Sequence, residues 1–195
     1  MKKSYHFDYF STDIDAYEED DCLQLVDLCQ ITYKESSDDK WRLLEWPFAS
    51  REAAIQEYAS LLIGRDVTMP DNAYSIRVKI RDSWETAGVI TLSFHGFDGD
   101  TGWIGTYIAP PYRGYGLQKL AKERIFSRMP SSIRGFYGMI ATTNTSSIHA
   151  AKKLQYCEWI PPEKLSSHPS PVQNAYLREQ GRILIVFYHL SGLRV

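Results

Sequence analysis

PPYRGYGLQKLAKERIF (110–126) sets two glycines, Gly114 and Gly116, between a strand-like run, WIGTYIA (103–109), and a helix-like one. A residue without a Cβ serves where the backbone takes a positive φ or where another group comes very close, and two alternating glycines point to both needs together. A strand that runs into Arg113-Gly114-Tyr115-Gly116 and then into a helix aims several backbone N–H groups, and the positive end of the helix dipole, at one spot. Such a spot binds anions, phosphates above all. The common nucleotide signatures are excluded: the chain contains no GxxxxGK[ST], and no third glycine completes GxGxxG after Gly116. The alternative reading is a tight strand-to-helix turn with no ligand.

Outward from this stretch, a helix over 116–129 carries Leu117, Leu120, Ala121, Ile125 and Met129 inward and Lys119, Lys122, Glu123 and Arg128 outward, and Pro130 ends it. Upstream, YSIRVKIR (74–81) alternates with period 2, GVITLSF (88–94) follows, and FDGDTG (97–102) reads as the hairpin turn into 103–109, so that the three runs form an antiparallel meander. Helices are expected over 21–36 and after Ser50 as N-cap, with Ala54, Ile55, Tyr58, Leu61 and Leu62 at helical spacing and Gly64 as the stop. YHFDYF (5–10) is read as a first strand. Downstream come a strand at 136–144, a short helix at 146–156, the strand CEWI and the loop PPEKLSSHPSP. A short helix capped by Ser170-Pro171 and Gly181, and the closing strand RILIVFYHL, complete the chain. The expected architecture is α/β: a single mixed, mostly antiparallel sheet flanked by helices, with locally parallel strands joined by right-handed crossovers after residue 103.

At 195 residues, 44% hydrophobic and 24% charged, the chain suits one domain over 1–195 with a sizeable core. A net charge of −2 gives no general reason to expect nucleic acid. Cys22, Cys29 and Cys157 form no C-x-x-C pair and have no histidine at metal-ligand spacing, so they are read as reduced cytoplasmic thiols, with no metal site. No apolar stretch follows Lys2 and Lys3, and the longest apolar run, ILIVFY (183–188), is too short to span a bilayer, so a soluble cytoplasmic protein without a membrane partner is expected.

YIAPPYRGYGLQKLAKERIF together with ATTNTSSIHAAKKLQY resembles the acyl-CoA-binding half of the GNAT superfamily, acyltransferases that move an acetyl group from acetyl-CoA to an amine. Ile108, Pro110, Arg113, Gly114 and Gly116 match the family's V-x-P-x-x-R-G-x-G-x-G/A pattern. Asn144, Ser147 and Lys153 match N-x-x-[AS]-x-x-x-x-x-K-x-G-F, with Gln155-Tyr156 in place of Gly-Phe. The resemblance implies that acetyl-CoA is the co-substrate. Its diphosphate would lie on the amides from Arg113 to Gln118, including Gly114, Tyr115, Gly116 and Leu117, its pantetheine arm would pair with the splayed strand 103–109, including Ile108 and Ala109, and a backbone N–H near Ile108 would polarise the thioester carbonyl. Asn144 and Lys153 would also serve the coenzyme, and Lys119 or Lys153 would approach the adenosine 3′-phosphate. Gln118 departs from the usual Gly or Ala.

Aminolysis of a thioester needs a neutral amine, stabilisation of the oxyanion and a proton for the thiolate. Many family members supply that proton from a Tyr seven residues after the motif Asn; here that residue is Ala151. Ser147, Asn144 and Tyr107 are the catalytic candidates that the resemblance and the splayed strand offer, with helix capping as the alternative for Ser147. Thr106, Glu85, His95, His149, Tyr188 and His189 carry weaker claims as base or cleft residues, and Tyr156 is read as core. Trp41, Trp46 and Phe48 with Asp38, Asp39 and Glu45 would suit a cationic amine, the alternative being that the aromatics cap the sheet core, and 161–181 would form the opposite wall or a homodimer contact. The expected acceptor is an amine on a small molecule or a protein. The alternative is a non-catalytic acyl-CoA-binding module.

Overall fold

The computed structural model describes residues 12–16, 20–27, 50–63, 72–80, 83–179 and 181–188. These build one seven-stranded sheet of order β1-β2-β3-β4-β5-β7-β6. The strands are β1 (Thr12–Ala16), β2 (Asn72–Ile80), β3 (Ser83–Ser93), β4 (Thr101–Ile108), β5 (Gly135–Ala141), β6 (Cys157–Trp159) and β7 (Arg182–Tyr188). Only β4 and β5 pair in parallel; every other neighbour is antiparallel. The helices are α1 (described over 20–27), α2 (Arg51–Ile63), α3 (Leu117–Arg128), α4 (Thr145–Lys152) and α5 (Ser170–Arg178).

The meander forms as expected, but β3 starts at Ser83, five residues before the expected run, and buries Thr86 to Ile90 consecutively rather than alternately. The strand expected at 5–10, the rest of the helix to residue 36, and the acceptor residues Asp38, Asp39, Trp41, Glu45, Trp46 and Phe48 lie outside the described residues, as does His189. The strand TDIDA, which its two aspartates argue against, forms at the sheet edge by pairing Ile14 with Ile76. Ser50 caps α2 as expected, its Oγ accepting the Ala53 N–H at 3.2 Å. The cap of α5 is corrected: Pro169 holds that position and Ser170 opens the helix, with no side-chain capping bond. The closing strand β7 enters between β5 and β6, so β5 and β6 run in the same direction without touching.

The sheet has a different apolar layer on each face. Phe126 of α3 stacks on Phe136 of β5 at 5.6 Å and meets Tyr156 edge-on, while Phe94 meets Phe136 edge-on at 5.5 Å. The alternate residues Trp103, Tyr137, Leu184 and Val186 face Val172 of α5, with Phe97 stacked on Tyr137. α1 is fixed to β2 and β3 by a polar cluster. Asp21, 1% exposed, accepts from the Thr86 hydroxyl and from Arg77 Nη2 at 3.3 and 3.4 Å, and Gln24 Oε1 accepts the Thr86 N–H.

Candidate active site

β4 and β5 pair only at their beginnings, Thr101 with Gly135, Gly102 with Phe136 and Trp103 with Tyr137. Beyond that point β4 runs on to Ile108 still bonded to β3, β5 runs on to Ala141 bonded to β7, and the two are no longer paired with each other. A gap in the middle of a sheet exposes main-chain donors and acceptors along its walls, which an extended ligand can take up in place of a strand. Each wall leads into a helix that starts at the open end, α3 from β4 and α4 from β5, so two positive dipole ends face the same mouth.

The turn at the first mouth is fixed from below. Register shifts between Ile76 and Arg77 leave Ala87 as a bulge, and its carbonyl accepts the Ala109 N–H at 2.8 Å. Pro110–Tyr112 form a 3-10 turn whose buried Tyr112 donates to Glu85 Oε2 at 2.6 Å. Glu85 therefore holds the turn. Arg113 Nε donates to Ile108 O at 2.8 Å and its guanidinium lies 5.7 Å from the centre of the Tyr107 ring. Gly114 (φ 87°) and Gly116 (φ 77°) are both left-handed, and a Cβ on either would meet nothing within 4 Å. Conformation requires these glycines, while the space above them stays open. The first N–H groups to bond inside α3 are those of Lys119 and Leu120, to Gly116 O, so the Leu117 and Gln118 amides point out of the helix end.

At the second mouth Asn144 caps α4, its Oδ1 accepting the Ser147 N–H at 3.1 Å. Asn144 is thus the capping residue, and the half-buried Ser147 hydroxyl is not used for that purpose. Ala151 is buried. Lys153 is exposed at the far end of α4, roughly 13 Å along the axis from Asn144. Lys119 is exposed and lies 3.8 Å from Glu123. The structure thus gathers Ile108, Ala109 and Arg113 to Gln118 into one strand, turn and helix start, sets Tyr107 beneath Arg113, and puts Asn144 and Ser147 at the neighbouring helix start. His149 is exposed on α4, and Tyr188 is exposed with its hydroxyl donating to Glu158 Oε2 at 2.6 Å.

Among solved structures, the ribosomal L7/L12 α-N-protein acetyltransferase RimL in complex with coenzyme A superposes at TM-score 0.60, with 13% identity over 91% of this chain and 93% of that one. The microcin C7 self-immunity acetyltransferase MccE, in complex with acetyl-CoA and AMP, gives 0.59 and 12% over 92% and 93%. A chimera of the Vibrio cholerae spermidine N-acetyltransferase SpeG with hSSAT gives 0.58 and 14% over 91% and 95%. The chain has the fold of the GNAT acetyltransferases. No family model and no curated protein matches the sequence itself.

Within this GNAT fold two features escape the sequence reading. Lys122, expected to point outward, is 2% exposed: the buried stripe of α3 is Leu117, Ala121, Lys122, Ile125 and Phe126, turned toward the Phe126–Phe136 stack. Its Nζ donates to Thr106 Oγ1 at 2.8 Å and lies 5.1 Å from the centre of the Phe187 ring. Burial lowers its pKa to about 7. Nearby, Tyr156 is core as expected, and its buried hydroxyl has no hydrogen-bond partner among the described residues. On the opposite face of the sheet a cavity of about 610 Å³ lies between α5 and the two parting strands, lined by His95, Trp103, Met139, Asn174, Arg178 and Glu179 among others. His95 belongs to this cavity rather than to the glycine turn. Among the described residues no group of three His, Cys, Asp or Glu can hold a metal, and no helix is long and apolar enough to cross a membrane.

Proposed function

We propose that residues 1–195 form a single acyltransferase domain that moves an acetyl group from acetyl-CoA to a primary amine of a small molecule or protein in the cytoplasm. The observation that carries this reading is the parting of β4 from β5 with a glycine turn at its mouth. The turn amides from Gly114 to Gln118 receive the diphosphate at the start of α3, and the unpaired edge of β4 up to Ile108 takes the pantetheine arm as a substitute strand. The thioester then lies in the gap, where a main-chain N–H of β4 polarises its carbonyl. The amine approaches from the opposite face, through the cavity bearing His95 and Glu179. The names of the neighbours span both acceptor kinds, a protein for RimL and spermidine for SpeG.

Calorimetric titration with acetyl-CoA, followed by thiol release in the presence of spermidine or a short peptide with a free N-terminus, tests the reading. Heat of association together with acceptor-dependent thiol supports it, and no heat at millimolar acetyl-CoA overturns it. A second reading, a coenzyme-binding module without turnover, is favoured by buried Ala151 at the position of the missing acid, and binding with no thiol release would select it. Gly116→Val forces a β-branched residue into left-handed backbone, a strain of about 1–3 kcal/mol, and turns the amides away from the diphosphate. Affinity for acetyl-CoA should fall by about 100-fold or more, which corresponds to roughly 3 kcal/mol, and retained affinity removes the phosphate cradle. Ser147→Ala should lower kcat by about tenfold, one hydrogen bond's worth, with the coenzyme Kd unchanged. An unchanged kcat would strip Ser147 of its role.

A further inference from the structure

The reaction proposed above leaves one proton without a source. As the amine displaces coenzyme A, the sulfur departs as a thiolate, and the residue where a donor is expected, Ala151, has no hydroxyl. A buried amine lies beneath the gap instead. Lys122 reaches up from α3 and contacts both Thr106 of β4 and Phe187 of β7, two strands between which β5 lies in the sheet. At that place β5 carries Gly138, where a Cβ would come within 3.2 Å of the Phe187 ring and 3.5 Å of Ile104 O. The floor under the parting strands is therefore built to hold the Phe187 ring and the lysine amine side by side.

Thr106 lies three residues past Trp103, the last residue of β4 that pairs with β5, and is half-buried. Because its oxygen accepts from Lys122 Nζ, its own O–H is directed elsewhere. We propose that Thr106 and Lys122 form a proton relay that serves the departing thiolate, with Thr106 touching the sulfur and Lys122 acting through it. Resting on the acetyl-transfer reading, the step balances as follows. The amine nitrogen bonds to the acyl carbon and the C–S pair leaves with sulfur. Thr106 gives its proton to sulfur and takes one from the Lys122 ammonium in the same event. The amide nitrogen loses its extra proton to water, and the neutral lysine amine regains one from water.

The energetics agree with the geometry. An ammonium brought to about pKa 7 is a stronger acid than an ordinary thiol near 8.5, so the transfer runs downhill. Two titratable groups near the amine, Cys157 and Tyr156, are held in their neutral forms in this range. The Cys157 thiol of β6 is pushed up to about 11 by burial, and the Tyr156 phenol is raised further by the same cause. Among the described residues, Glu123 on α3 acts on Tyr156, and the ionisable group acting on the Lys122 charge is Cys157. A buried cation with no carboxylate partner among the described residues is costly as a structural element and apt as a proton donor.

The test begins with wild-type protein, titrated with acetyl-CoA and assayed for thiol release with spermidine and with an N-terminal peptide from about pH 6 to about pH 9. The expected kcat falls on the alkaline side as the donor form is lost. Lys122→Met and Thr106→Val should each lower kcat by about 100-fold, abolish that limb and leave the acetyl-CoA Kd within about twofold, whereas Thr106→Ser, which restores the hydroxyl, should keep most of the rate. Lys122→Arg keeps a charge that cannot leave, and should behave like Lys122→Met. A Lys122→Met or Thr106→Val protein with unchanged kcat and pH profile overturns the relay while leaving acetyl transfer standing. A loss of coenzyme affinity in parallel with rate, the limb intact, reduces both residues to structure and overturns it too. Wild-type protein that binds no acetyl-CoA, or binds it and releases no thiol, takes the enzymatic reading and the relay down together.

Discussion

Asp21→Ala is expected to lower the unfolding free energy by about 3–5 kcal/mol, the cost of breaking a buried ion pair by removing one partner. Asp21 is 1% exposed and accepts from the Thr86 hydroxyl, itself buried, and from Arg77. Alanine leaves that hydroxyl with a lost acceptor and the Arg77 cation unbalanced beside the sheet. The Arg77 side chain is 30% exposed, so part of its charge is rehydrated and the lower end of the range applies. The consequence reaches beyond the pair, because α1 is tied to β2 and β3 here, and β3 supplies Ala87 and Glu85, which hold the glycine turn. Urea unfolding measures the effect as a lower midpoint at unchanged m. Thr86→Val combined with Asp21→Ala should cost less than the sum of the two single changes, since both act on one bond. A change within about 0.5 kcal/mol, the range of ordinary surface substitutions, would show that the cluster does not anchor the helix.

The mouth of the site is the most legible part of this sequence, and its floor the least. Glycines at positive φ and a helix N-terminus are local properties, so Arg113 to Gln118 announce themselves from the residue types alone. The meander is legible for a similar reason, since period 2 marks a strand wherever its partners lie. Topology is different. The entry of β7 between β5 and β6 depends on pairings distant in sequence, such as Gly135 with Tyr188 and Cys157 with Phe187, and nothing within RILIVFY specifies its neighbours. Lys122 is misplaced by the usual rule that lysine faces water, because the helical stripe is chosen by the Phe126–Phe136 stack, and a turn of about 100° per residue brings position 122 under the sheet with it. Asn144, not Ser147, caps α4 because helical spacing puts the backbone N–H of the residue three positions on within reach of the cap side chain, and here that N–H belongs to Ser147. The cavity facing α5 has no sequence signature, being assembled from a turn, two strands and a late helix.

Lys122→Met is expected to stabilise the protein at pH 7 by about 2–4 kcal/mol, an unusual direction for a core substitution. In the unfolded chain the amine titrates near 10.5 and is fully charged at neutral pH; in the fold, burial brings it to about 7. Between those values the unfolded chain holds more protons, so stability must rise with pH through this window. Each unit is worth about 1.4 kcal/mol, and at 2% exposure solvent screening removes little of it. Cys157 acts in the opposite sense. Its thiol, pushed up to about 11 in the fold, ionises first in the unfolded chain, so that stability falls above about pH 9. The clean interval is pH 7 to 9, over which wild-type stability should climb by about 2–3 kcal/mol and Lys122→Met should stay flat. Methionine fills the volume of the lysine stem and gives up one hydrogen bond to Thr106, worth about 1 kcal/mol, which is why the net gain is smaller than the full penalty. Urea midpoints at several pH values decide the matter, and a wild-type profile flat from pH 7 to 9, or a destabilised Lys122→Met, refutes it. Set beside the relay, the substitution that steadies the fold is the one that stops transfer. A lysine that served only to fill the core would move stability and turnover together.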